Sequence, residues 1–157
     1  MPYYYSTQST QAISGTANTD TDLFRYLTVS PRPCNITRLI CGNTGAAAQD
    51  NQLLVQIQRM STASTVGGAV VPMPHDPGTQ AAVTTPFTLP TIGTKNANGA
   101  ALGLGFNSRA MVQWVALNPD EAIFLATAGG ANGNADLIAQ EAAGTAVNLR
   151  FTITHWE

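Results

Sequence analysis

Apolar and polar residues alternate position by position along much of this chain, a pattern that sheets accommodate and helices do not. It is clearest over 147–154, where Val147, Leu149, Phe151 and Ile153 point one way and Asn148, Arg150, Thr152 and Thr154 the other. Successive side chains of a strand face opposite sides of a sheet, so a period of two predicts a strand buried on one face. Residues 51–60 repeat the pattern, with Leu53, Val55 and Ile57 on one face and Gln52, Gln56 and Gln58 on the other. Leu54 breaks that alternation and is expected to face a partner. Further strands are predicted over 9–14, 23–29, 36–41, 83–89, 111–117 and 122–127, most of them bounded by Gly, Pro, Asn or Asp. Residues 136–143 admit either a strand or a short helix capped by Asn134 or Asp136.

Turn signals separate these segments: Ser30-Pro-Arg-Pro, Gly42-Asn-Thr-Gly, Gly67-Gly, Pro72-Met-Pro-His-Asp-Pro-Gly and Asn118-Pro-Asp. They exclude long helices almost everywhere. Segments 61–80 and 91–108 are long, rich in Gly, Pro, Ser and Thr, and weakly patterned, which predicts functional loops ordered against something. About eight short strands predict an all-β, antiparallel sandwich or barrel. No domain linker or internal repeat interrupts it, so 23–157 is expected to form a single domain. Residues 1–22 are expected to form an N-terminal arm or an edge strand.

The surface of such a domain must be unusually uncharged. Apolar residues are 44% of the 157, yet charged residues are only 10%, against about 25% in an average domain. A Thr, Ser, Asn, Gln, Ala and Gly surface suits a protein packed against neighbours. Net charge is −2, and Arg25, Arg32, Arg38, Arg59, Lys95, Arg109 and Arg150 are scattered. They form no basic stripe, so nucleic acid is not an expected partner. No apolar run reaches the length of a membrane span, and Met1-Pro-Tyr-Tyr-Tyr-Ser lacks the order of a signal peptide. A membrane is therefore not expected as a partner, and synthesis in a cytosol is. Cys34 and Cys41 would lie about 23 Å apart on opposite faces of one strand, unbridged and apolar in role. The sequon Asn35-Ile-Thr37 stands alone among secretory signals.

No residue pattern declares chemistry. His75 lies in a Pro-rich turn with Asp76, and His155 shares the parity of Phe151 and Ile153, which predicts an inward, satisfied side chain. Asp120-Glu121 and Asp20-Thr-Asp22 read as capping or loop solvation. Asn18, Asp20 and Asp22 offer alternating oxygens without the later bidentate Glu of a calcium loop. The runs 99–105 and 129–133 are Gly-rich but lack a phosphate-binding Lys and a following helix. Neither a catalytic site, a metal, a cofactor nor a small-molecule substrate is expected. Aromatic residues offer the other route to binding. Tyr3, Tyr4 and Tyr5 are consecutive and cannot all be buried on one strand face, so they are the candidate partner-binding residues. They either line a sheet edge with Tyr4 outward or reach to another subunit. Trp114 and Trp156 are expected to pack in the core or between sheets.

The run Leu53-Leu-Val-Gln-Ile-Gln-Arg-Met-Ser-Thr-Ala, then Pro72-Met-Pro-His-Asp-Pro-Gly, then Asn118-Pro-Asp-Glu-Ala, then Val147 to His155-Trp-Glu resembles the jelly-roll cement or decoration proteins of tailed-bacteriophage capsids. The resemblance spans most of 35–157 as a layout of strands and loops; residues 1–22 fall outside it. It implies a jelly roll of about eight strands, a homotrimer, and a place on the capsid surface of a virion assembled in host cytoplasm. The implied partner is the major capsid protein, and the implied role is to stabilise contacts between its subunits. No site residue carries over. The alternatives are a receptor- or carbohydrate-binding jelly-roll module of a fibre or spike, which would use the tyrosines, Trp114 or the loops, and a minor shell-forming coat protein.

Overall fold

A computed structural model of the chain describes residues 2–28, 32–45, 50–62, 65, 67–78, 80–88, 91–126, 134–142 and 146–157. The alternating segments form strands β1 (Tyr4–Ala12), β2 (Thr21–Leu27), β3 (Cys34–Asn43), β4 (Gln52–Thr62), β5 (Gly68–Ala69), β6 (Met73–Pro74), β7 (Thr85–Thr88), β8 (Thr94–Asn107), β9 (Met111–Val115), β10 (Ile123–Leu125), β11 (Asn134–Glu141) and β12 (Asn148–Trp156). Among the described residues the one helical element is a single turn, Pro119–Glu121, whose cap Asn118 accepts hydrogen bonds from the N–H of Asp120 and Glu121. The segment 136–143, which admits helix or strand by its sequence, is strand through Glu141.

Two antiparallel sheets result. The first runs β10-β3-β12-β1-β6, with β9 in line with β10 along the same edge of β3. The second runs β5-β7-β2-β11-β4-β8. Pairing is nested: β1 with β12, β2 with β11, β3 with β9 and β10, and β4 with its neighbour β8. Such nesting is one long hairpin. Rolling it up brings β12 onto β3 and β11 onto β4, so that β1 to β4 alternate between the sheets, as do β10 to β12. This is the topology of a jelly roll.

The inner faces meet in one apolar core, with Leu23, Phe24, Tyr26, Val55, Ile57 and Leu137 from the second sheet and Ile36, Leu39, Leu149, Phe151 and Ile153 from the first. Phe24 meets Phe151 edge to face across the sandwich at 5.2 Å, an arrangement favoured by the ring quadrupoles. The middle of the second sheet is buried on both sides. Asp136 and Ile138, opposite in parity to Leu137 and Ala139, are as inaccessible as they are.

Two expectations are corrected. Residues 91–108, read as a loop, contain the fourteen-residue strand β8. Their period of two is present in Leu102, Leu104 and Phe106, but the alternate positions are Ala101, Gly103 and Gly105, so no polar residue marks it. Pairing with β4 supplies the order that intrinsic propensity withholds. The two cysteines are free, as expected, but share the inward face of β3. Between Thr154↔Arg38 and His155↔Ile36 the register shifts, so Thr37 is an extra residue. Such a bulge resets the parity and brings Cys34 and Ile36 to the side of Leu39 and Cys41.

Candidate interaction face

Register determines what the first sheet shows to the outside. Tyr5 opposes His155 and both point inward, so Tyr4, Ser6, Gln8 and Thr10 of β1 lie outward beside Trp156, Thr154, Thr152 and Arg150 of β12. Arg38 and Ile40 of β3 follow, then Met111, Gln113 and Val115 of β9. This face is open, whereas the second sheet is buried on both sides at its middle strand β11. The open face exposes Tyr4, Met73, Met111, Val115, Leu117 and Phe124 to between 40% and 87% of their full areas. Isolated exposed apolar residues are ordinary; a set of large ones around one sheet face is the mark of a contact surface.

Two hollows indent the face. The first, of about 340 Å³, is bounded by Tyr4, Arg38, His75, Leu117 and Trp156. His75 is placed there by a backbone hydrogen bond from its N–H to the Tyr4 carbonyl, at 2.9 Å. Its Nε2 shares a 2.7 Å hydrogen bond with Ser6 Oγ, which also lies 3.1 Å from Thr154 Oγ1. Asp76 does not orient this imidazole in any contact the structure shows: its Oδ1 accepts the Gly78 N–H and closes a turn. The second hollow, of about 470 Å³, is bounded by Gln8, Ile40, Asn43, Arg109, Met111 and Arg150.

Beneath the Tyr4 end of the face lies a buried polar cluster. The His155 ring is sandwiched by Tyr5, stacked at 5.4 Å, and by Tyr26, edge-on at 5.2 Å. Tyr26 Oη lies 3.3 Å from His155 Nδ1, and His155 Nε2 stands 3.6 Å from Glu157 Oε1. The Glu157 carboxylate accepts the N–H of Val83 at 2.8 Å and of Thr84 at 2.6 Å, and Tyr5 donates its hydroxyl to the Gln80 carbonyl at 2.6 Å. The segment 80–84 is thus fastened to β1 and β12. Burial works to raise the Glu157 pKa, but the imidazole and the two amides outweigh it and hold the carboxyl at about 2.

The consecutive tyrosines divide between inside and outside. Tyr5 is in the core, Tyr4 stands on the open face with its ring stacked over His75 at 6.3 Å, and Tyr3 lies half exposed beneath the Arg32 guanidinium. The partner-binding expectation therefore narrows to Tyr3 and Tyr4. His155 is inward, as its parity predicts. Trp114 packs against the core, whereas Trp156 takes the opposite parity and lines the first hollow, contrary to expectation. Asp20 sits 2.5 Å from Lys95 Nζ and accepts a hydrogen bond from Gln140, Asp22 is buried, and Asn35 of the sequon is buried in β3. Among the described residues no three His, Cys, Asp or Glu side chains gather where a metal ion could be held, and no helix is long and apolar enough to cross a membrane. The Gly-rich run 129–133 lies outside the described residues. Neither hollow was legible beforehand, because each joins residues from four or more separated segments. No protein-family profile matches the chain, and no curated protein matches its sequence.

Proposed function

We propose that the protein is a structural component of a virion, a capsid decoration protein that binds the outside of an icosahedral shell as a homotrimer and stabilises contacts between major capsid subunits, without catalytic turnover. The observation that carries this reading is the open outer face of the first sheet. Six large apolar side chains are exposed there among Thr, Ser and Gln, a composition that desolvates cheaply and forms broad contacts. The rolled two-sheet frame behind it presents that face rigidly, and three-fold repetition would add modest patches into strong attachment. The test is to heat closed shells of the major capsid protein from the genome that encodes this chain, with and without the purified protein. Shells that stay closed to higher temperature at saturating occupancy support the role; unchanged opening of decorated shells refutes it. Tyr4 and Trp156 beside the polar ends of Arg38 and His75 favour a second reading, a carbohydrate-binding module, which a glycan array tests.

A further inference from the structure

The face assigned to shell binding has a charge distribution of its own. The strands of the first sheet, β1, β3, β6, β9, β10 and β12, contain no Asp or Glu, in a chain whose net charge is −2. Their two arginines, Arg38 and Arg150, both point outward and are exposed. Arg38 and His75 line the first hollow, and Arg109 and Arg150 line the second; no acidic side chain lines either. The four carboxylates of Asp22, Asp136, Glu141 and Glu157 are withdrawn into the interior. Arg109 is engaged by Asp50, 2.9 Å from its Nε and well exposed, whereas among the described residues no hydrogen bond or ion pair engages the guanidinium of Arg38 or Arg150. Glu121, near the rim of the first hollow, is already satisfied by the Leu117 N–H and the Asn118 amide.

We propose that this face docks an acidic protein surface, one of whose carboxylates enters the Arg38 hollow and another the Arg109–Arg150 hollow. The inference rests on the decoration reading and names the chemistry of the shell surface that the protein selects. Guanidinium groups bind carboxylates in planar, paired hydrogen bonds, and the apolar residues that line the hollows, Val115, Leu117 and Trp156 in the first and Ile40 and Met111 in the second, match a folded protein better than a hydrated polysaccharide or nucleic acid. Register sets the spacing the partner must offer. Arg38 lies beside Thr154, four residues along β12 from Arg150, so the Cα atoms of the two arginines are roughly 14 Å apart at strand rise and strand spacing.

Saturation binding to shells of the major capsid protein from the same genome, measured by sedimentation in low and high salt, tests this. The arms are the wild-type chain, the double variant Arg38→Gln/Arg150→Gln, and Lys95→Gln on the second sheet as a control, with thermal melts confirming that all are folded. The expected result is that affinity falls about tenfold or more in the double variant and about tenfold or more for wild type on raising salt, with Lys95→Gln unchanged at low salt. Wild-type binding that ignores salt, matched by the double variant, overturns the inference and leaves the decoration reading standing. Failure of wild type to bind shells in any salt overturns the reading, and the inference with it. Binding of soluble alginate, a uronate polysaccharide, by the wild-type chain but not by the double variant, with shells ignored, assigns the arginines to a saccharide instead.

Discussion

Glu157 joins three pieces of chain, since its backbone exchanges hydrogen bonds with Tyr3 while its carboxylate holds the amides of Val83 and Thr84. Its pKa, about 2 against an ordinary 4.5, links this contact to pH. Between those values the unfolded chain takes up a proton that the native carboxylate refuses. The stabilisation is therefore complete above about pH 4.5 and disappears as pH falls toward 2, amounting to about 3 kcal/mol. Urea unfolding at neutral and acid pH is expected to show this loss in the wild-type chain, and Glu157→Gln is expected to be less stable at neutral pH with a flatter acid limb. Equal acid sensitivity in both would contradict the assignment. The thiols make a second prediction. Burial pushes Cys41 up to about 12 and Cys34 higher still, the latter against a weaker opposing hydrogen bond to Thr84. Neither is a thiolate at neutral pH, so a thiol reagent is expected to label neither in the native protein and both in denaturant. Native-state labelling of either one would show that β3 opens.

At the scale of elements, legibility followed the side chains that mark alternation. β4 and β12 carry Leu, Val, Ile and Phe against Gln, Asn, Thr and Arg, and both were readable. β8 has small residues at its outward positions and was not, and the two-residue strands β5 and β6 are too short to show any period. The bulge at Thr37 was invisible because it arises from the partner strand, not from a local signal, and it is what puts both cysteines in the core. β8 also offers a test of its own geometry. Gly99 has φ +85°, a conformation open to glycine and costly for other residues, and its carbonyl accepts a 2.9 Å hydrogen bond from the Gln58 side chain. Gly103 lies in ordinary strand conformation, and a Cβ there would meet nothing within 4 Å. Gly99→Ala is expected to lower stability by about 1–2 kcal/mol, while Gly103→Ala is expected to be neutral or mildly stabilising. Equal effects in chemical denaturation would refute the left-handed kink at Gly99.

For the whole molecule, the sandwich class followed from counting alternating segments, whereas the interaction face did not follow from any one of them. Tyr4, Arg38, Met111, Arg150 and Trp156 are scattered along the chain and become neighbours only when the nested hairpin rolls up. Low charge, visible at once in the composition, acquires its meaning at this scale: the carboxylates of Asp22, Asp136, Glu141 and Glu157 are drawn inside, while Arg38, Arg109 and Arg150 stand at the two hollows. We propose that this chain assembles and then attaches to a shell through that face. Light scattering of the purified protein, followed by co-sedimentation with shells of the major capsid protein from its own genome, tests it most directly. The expected result is a species of about 49 kDa, three times the 16.4 kDa chain, that saturates shells at fixed stoichiometry and loses binding when Met111 and Leu117 are both replaced by Asp. A monomer that leaves shells bare, or a Met111→Asp/Leu117→Asp variant that binds them as well as wild type does, would contradict it.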